Sequence, residues 1–232
     1  MKQLLSVTVT TKTWTQGNQA WFDAKIKPGA TVEVHWGDGK LSVFPQSGEN
    51  LSRIEHDYSG KGKENYYEIG FFSDDEDALT ALTDGTWEMT VHEVRIKNCR
   101  ALKFLRYCQA RNLDLSGCPD LELLDCNGFC GEKIDVSHLT SLKQLSLRMS
   151  PNIESLCLNK NPSIEVLDIG CCDKLTKVSL PNKSRLRLLS CDFTRLDRHS
   201  VKWLEKVIQE NNGEIADFIN MDSGDQDGYA DA

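Results

Sequence analysis

The chain has 232 residues, with 35 acidic and 27 basic side chains, a formal charge of −8, and 39% hydrophobic against 27% charged residues. That balance excludes a disordered chain, and the length suffices for one large domain or two modest ones without disulfide staples. The overall acidity argues against a nucleic-acid or anionic-membrane partner, and no apolar run approaches the roughly 18 residues of a spanning helix.

In chain order, Met1 to Val9 carry a single Lys and pass quickly into polar alternation, so no export signal is expected. Residues 1–92 hold 8 basic and 14 acidic side chains, and residues 93–196 hold 16 and 12. Residues 197–232 hold 3 and 9, so the middle section is +4 between two sections of −6. All nine cysteines lie in the middle section and four of the five tryptophans in the first, which implies two segments with different cores. An odd cysteine count is a poor disulfide framework, and free cysteine packs as a small hydrophobe. The expectation is therefore reduced, packed thiols.

The first 90 residues read as short strands: Ser6–Thr13, Ala20–Ile26, Thr31–Trp36, Leu41–Phe44, Ser52–Tyr58 and Tyr66–Phe72. Trp36-Gly37-Asp38-Gly39 is a hairpin signal, in which glycine supplies positive φ and the carboxylate accepts turn amides. About twenty residues later comes His56-Asp57-Tyr58, and then Tyr66-Tyr67-Glu68-Ile69. This combination resembles the PKD-type immunoglobulin-like β-sandwich, a resemblance that covers residues 1 to about 75. The run Ser73–Asp77 is expected to be a solvated loop before a strand Trp87–Ile96, since its acids lack a calcium-ligand spacing.

The middle section repeats. From Leu113, apolar residues fall at offsets 0, 2, 5, 8, 11 and 13 (Leu113, Leu115, Cys118, Leu121, Leu124, Cys126). The same frame starts at Val94, Ile134, Leu156 and Val178, with starts 19, 21, 22 and 22 residues apart. Of 30 frame positions only Asn161 and Lys183, both at offset 5, are not apolar. Each unit carries two short extended stretches, at offsets 0–2 and 11–13, and no unit of this size buries its own apolar face. Stacked units share a core, so residues 91–196 are predicted to form a solenoid of parallel ladders. Leu121-x-x-Leu124-Asp125-Cys126 and Leu186-x-x-Leu189-Ser190-Cys191, with Leu113-Asp114-Leu115-Ser116, resemble bacterial leucine-rich repeats of the internalin-like, cysteine-ladder kind. The family's loop asparagine is placed at Asn112, while later units have Lys133, Ser155 and Lys177.

Asp197 to Asn211 reads as a helix with Val201, Leu204, Val207 and Ile208 on its apolar face, capped by Asp197 or Ser200 and stopped by Asn211-Asn212-Gly213. Glu214–Asn220 reads as a last strand, and 197–221 together as the C-terminal cap. Residues 222–232 read as an acidic disordered tail. An EF-hand alignment fails there, because Ser223 falls at the first ligand position. The predicted fold class is thus mainly β with some α: an N-terminal β-sandwich (1–90), a leucine-rich repeat solenoid, and a helix–strand cap.

The sequence holds no nucleophile elbow, phosphate-binding loop or zinc-protease motif. The five histidines are scattered, and neither Cys126-x3-Cys130 nor Cys171-Cys172 has a second pair to complete a zinc set. No cofactor, no metal and no enzyme activity are expected. Cys108, Cys130, Cys157 and one of Cys171 and Cys172 lie off the frame and are the candidates for an exposed thiol. Asp125 and Asp168 recur at one offset and read as a surface row rather than an acid/base pair.

What the resemblance implies is a binding surface on the outward positions of the offset 11–13 ladder. Those positions are Phe104, Arg106 and Cys108; Leu123, Asp125 and Asn127; Gln144, Ser146 and Arg148; Val166, Asp168 and Gly170; and Leu188, Ser190 and Asp192. The mixed strip suits a protein or peptide partner bound by a monomer. A glycan or cell-surface adhesin role is the alternative, with Trp14, Trp21 and Trp87 as candidate sugar platforms. A cluster of Arg95, Lys97, Arg100 and Lys103 at the junction would suit an acidic partner. The absence of an expected signal and the reduced cysteines point to the cytoplasm, whereas the resemblance implies the bacterial surface.

Overall fold

A computed structural model describes residues 1–12, 18–45, 50–59, 65–86, 89–107, 109–217 and 219. Eight strands form first: β1 (Lys2–Thr10), β2 (Gln19–Ile26), β3 (Glu33–His35), β4 (Leu41–Val43), β5 (Ser52–Asp57), β6 (Tyr66–Ser73), β7 (Leu79–Asp84) and β8 (Thr90–Ile96). The repeat section adds β9 (Phe104–Arg106), β10 (Asn112–Asp114), β11 (Leu123–Asp125), β12 (Gln144–Ser146), β13 (Ser155–Cys157), β14 (Val166–Asp168), β15 (Lys177–Ser179) and β16 (Leu188–Ser190). Helix α1 (Arg198–Glu210) and strand β17 (Glu214–Ile215) follow. The protein is mainly β, with about six solenoid turns and a C-terminal helix.

Two sheets run through both parts of the chain. One has the order β10-β8-β1-β6-β3-β4, and the other the order β17-β16-β14-β12-β11-β9-β7-β2-β5. The second is antiparallel in β5-β2-β7 and parallel from β7 onward, because β9 adds to β7 with Leu105 beside Leu82. The repeat therefore extends a sheet edge already present in the first part, and one apolar core runs from Leu4 to Ile208.

Register follows the repeat frame residue for residue. Leu105, Leu124, Leu145, Leu167 and Leu189, all at offset 11, lie side by side in successive strands, pointing into the core. Each such leucine contributes about 1.5–3 kcal/mol by burial. All frame residues are buried except Leu113, Ile134 and Cys191, which pack against the core, and Lys183, which is exposed. Asn161 replaces an apolar residue yet is fully buried, and its amide donates to the Val136 and Leu139 carbonyls at 2.7 and 2.9 Å. Asn211 repeats the arrangement at the cap, donating to Ser184 and Leu186. Between successive turns the offset 0–2 stretch pairs where β10 joins β8 and β13 joins β15, and Val94–Ile96 also pairs with β1; Ile134–Val136 is not a strand.

Each ladder strand ends in the same way. Gln109, Gly128, Met149, Cys171 and Phe193 all stand at offset 15, and all have φ between 54° and 71°. The first four turn their amides onto the Asn127, Arg148, Gly170 and Asp192 carbonyls of the next turn. Successive turns are also tied at offset 9, where charge alternates through Lys103, Glu122, Lys143, Glu165 and Arg187. Glu122 pairs with both neighbouring lysines, and Glu165 with Arg187.

Several expectations are corrected. Strand β1 begins at Lys2 rather than Ser6, and β7 lies just after the Ser73–Asp77 loop, at residues for which the sequence predicts no element. Strand β7 breaks period-two alternation, since its register against β2 shifts between Lys25 and Ile26. The acids of that loop are held by cations: Asp75 by Lys27, and Glu76 by Lys2 and Arg100. Asp197 caps α1 by accepting the Ser200 amide, while Val201, placed on the apolar face, is exposed. The last strand covers Glu214–Ile215 instead of reaching Asn220. The tail 222–232 lies outside the described residues. No helix among the described residues is long and apolar enough to cross a membrane.

Candidate functional site

Period two sends the side chains flanking each offset 11 leucine to the outer face of the long sheet. There they form two rows. One row, apolar except for Gln144, is Ala81, Phe104, Leu123, Gln144, Val166 and Leu188; the polar row is Thr83, Arg106, Asp125, Ser146, Asp168 and Ser190. The polar row continues onto β2 at Asp23, whose carboxylate receives Arg53 at 2.8 and 2.7 Å.

The sequence-predicted residues do come together on one face, but that face is not open. Phe104, Leu123, Asp125, Ser146, Val166, Asp168 and Ser190 are buried, and Gln144 and Leu188 are half-buried. The expectation of exposed positions is therefore corrected at these sites, as is the reading of Asp125 and Asp168 as a surface row. Two causes are visible. The polar side chains bury one another, and the chain returns across the apolar row after β17.

Arg106 donates to Asp125 at 2.8 Å, and the Ser146 hydroxyl donates to Asn127. Arg148 reaches further, laying its guanidinium over Gly170. A Cβ at Gly170 would stand 2.3 Å from Arg148 Nη1 and from Asp192 Oδ1, so the absent side chain makes the contact possible. Arg148 Nη1 donates to Asp192 Oδ1 and Ser190 Oγ at 3.2 Å each, and to Asp168 Oδ1 at 3.5 Å. Burial pushes the Asp168 carboxyl above its ordinary value, against the pull of the Gly170 amide and Arg148. Burial works against the Arg148 charge as well, but Asp192 and Asp168 outweigh it and hold its pKa up.

The returning chain is the part that sequence reasoning missed. The Ala216 amide donates to the Leu189 carbonyl, and the Asp217 carbonyl accepts from Arg148 Nη1 and Ser190 Oγ, each at 3.2 Å. Ile219, 6% exposed, joins Phe104, Leu123 and Val166 in one apolar cluster, with Ala81, Leu188 and Ala216 packed against it. The only sequence signal for this was the apolar row itself, which needs cover.

No protein-family model matches the chain, and no curated protein does.

Elsewhere, the residues of the hairpin signal converge. Gly37 and Gly39 have φ of 80° and 88°, and the Asp38 carboxylate accepts the Lys40 amide at 3.1 Å and lies 3.0 Å from His56 Nε2. The Tyr58 hydroxyl donates to the Trp36 carbonyl at 2.6 Å, and His56 stacks on the Trp36 ring. Of the tryptophans considered for sugar binding, Trp14 and Trp87 lie outside the described residues. Trp21 has Arg53 stacked 4.1 Å from its ring centroid and packs on the Gly85 backbone so tightly that a Cβ there would fall 1.8 Å from the indole.

The junction cations are engaged within the chain: Arg95 with Glu93, Lys97 with Gln3, Arg100 with Glu76, and Lys103 with Glu122. Among the off-frame cysteines, Cys108 lies outside the described residues, Cys130 and Cys171 are half-buried, Cys172 is buried and Cys157 is exposed. The Cys157 thiol occupies the offset at which Asp114 and Asp135 accept the amide two residues on. The Asn159 amide and the Ser179 hydroxyl, acting in the same way, pull the Cys157 thiol below its ordinary value. No group of three or more His, Cys, Asp or Glu side chains among the described residues is arranged to hold a metal.

Proposed function

We propose that the protein is a non-enzymatic binding protein whose partner, a protein or peptide, docks on the outer face of the long sheet. One observation carries the reading: that face already holds a piece of the chain's own backbone and side chain, the Asp217 carbonyl and Ile219. A carbonyl is received by Ser190 of the polar row and by Arg148, which reaches across from the end of its ladder strand, and an aliphatic side chain sits in the apolar row. Backbone recognition combined with apolar anchoring is how sheet surfaces take extended peptides. Large apolar side chains at outward strand positions are also a feature of surfaces that are covered in use.

The same reading takes the repeat as a leucine-rich repeat of the internalin-like kind, and the first part as a PKD-type sandwich. In its support, Trp36, Asp38, His56 and Tyr58, the residues that carry that resemblance, make mutual contacts.

The test is a selection of random dodecapeptides displayed on phage against the unaltered chain. Recovered peptides are then measured against Leu123→Lys, with Val43→Lys on a distant edge strand as control. Binders that lose affinity on Leu123→Lys alone are the expected result. Binders indifferent to both variants, or none at all, overturn the proposal.

A further inference from the structure

We infer that Asp217 and Ile219 form a built-in, displaceable occupant of the outer face. The partner that displaces them is an extended peptide segment with a backbone carbonyl over Arg148 and Ser190 and a branched aliphatic side chain two residues later. This rests on the binding reading above and specifies its ligand.

Three observations support it. First, the contacts are of a kind that another segment can supply. Arg148 Nη1 and Ser190 Oγ hold a main-chain oxygen, not the Asp217 carboxylate, so the residue identity there is not read. Second, Ile219 stands two residues on and meets Phe104, Leu123 and Val166, so one short segment supplies both the carbonyl and the aliphatic anchor. Third, the piece is weakly moored. The strand that leads into it, β17, has two residues, both exposed, at the sheet edge. The hydrogen bonds to Asp217 are at the long end of the range, at 3.2 Å. A tethered occupant of this kind acts at an effective concentration on the order of millimolar, so it raises the threshold a partner must pass without closing the site.

The experiment uses the full chain and a fluorescein-labelled peptide of residues 213–222, Gly-Glu-Ile-Ala-Asp-Phe-Ile-Asn-Met-Asp, read by anisotropy. Ile219→Asp opens the site in cis. The labelled peptide is expected to bind this variant at least about 10-fold more tightly than the unaltered chain, because the apparent dissociation constant scales inversely with the open fraction. A peptide carrying Asp in place of its Ile should not bind, and Ile219→Asp combined with Val166→Asp should lose the gain. A chain ending at Ala216 repeats the measurement if Ile219→Asp fails to fold. Equal affinity for the folded open variant and the unaltered chain, or no binding to either, overturns the inference. When phage-derived binders depend on Leu123 but the 213–222 peptide does not bind, the inference fails and the binding reading stands. When the peptide binds but no face-dependent phage binder exists, the segment is a structural strap and the partner claim falls.

Discussion

Arg148 Nη1 and the Asp217 carbonyl oxygen are 3.2 Å apart although 69 residues separate them in the chain. The same guanidinium spans two further turns of the ladder, to Asp168 and Asp192. Arg148 is thus the group that reconciles two carboxylates, one of them 1% exposed, with a sheet surface that is largely covered.

Arg148→Met should cost about 3 kcal/mol in chemical unfolding, because it leaves Asp168 and Asp192 without their compensating charge. Asp168→Asn should behave oppositely. The folded carboxyl sits above its ordinary value of 3.8 because of burial, so its ionisation opposes folding. That opposition is absent well below 3.8, develops as pH rises through the window between 3.8 and the raised folded value, and is complete above it. Asp168→Asn should therefore match the unaltered protein at low pH and equal or exceed its stability at pH 7. A loss at neutral pH larger than the loss in acid would contradict this assignment.

Asn161 offers a choice between the apolar frame and the hydrogen bond. Restoring the frame with Asn161→Leu buries more hydrocarbon but removes one of two donors from each of the Val136 and Leu139 carbonyls, leaving only the Leu139 and Leu142 amides. Each hydrogen bond lost contributes about 0.5–1.5 kcal/mol net, so the substitution should lower the melting temperature despite its better match to the repeat. An unchanged or higher melting temperature would mean that the frame alone governs the position.

The inward half of the solenoid was legible because one rule produced it. Leu105, Leu124, Leu145, Leu167 and Leu189 recur at one offset, and stacking aligns whatever recurs. The outward half was legible as a set of residues but not as an environment. Whether Leu123 or Val166 meets water depends on Ile219, which arrives from the C-terminal cap and shares no repeat offset with them. Strand β7 escaped notice for a local reason. Its buried apolar residues Leu79 and Leu82 are three apart across a register shift, which reads as neither strand nor helix. The left-handed column was hidden because only one of its five members, Gly128, is a glycine.

That column gives a paired test. Gly128 has φ of 71°, and a Cβ there would meet only Gln109 Cγ at an ordinary 3.5 Å. Gly128→Ala should then cost about 1–2 kcal/mol from backbone strain alone. Phe193, at the same offset with φ of 54°, carries that strain now, and its ring is 81% exposed. Phe193→Gly should relieve the strain and raise stability by a few tenths to about 1 kcal/mol. Denaturant titration of both variants checks the pair; a destabilised Phe193→Gly chain would show that the exposed ring makes contacts that outweigh its backbone strain.

Cys157 should be the thiol that reacts first in the native protein. It stands exposed at a position where other turns place an aspartate, and the Asn159 amide, the counterpart of the Ser116 and Ser137 amides that serve those carboxylates, favours the thiolate here. Two buried cysteines are held the other way. Burial pushes the Cys118 thiol up to about 12 and the Cys172 thiol up to about 11, so neither supplies thiolate near neutral pH. Brief alkylation of the folded chain at pH 7, followed by peptide mapping, should place most of the label on Cys157, and Cys157→Ser should remove the fast phase. Cys157→Asp should leave the fold intact, because the carboxylate accepts the same amide. Label concentrated on Cys118 or Cys172 instead would mean that the solenoid opens faster than its exposed thiol reacts, contrary to the packing of those two sulfurs against the Leu115 and Leu147 carbonyls.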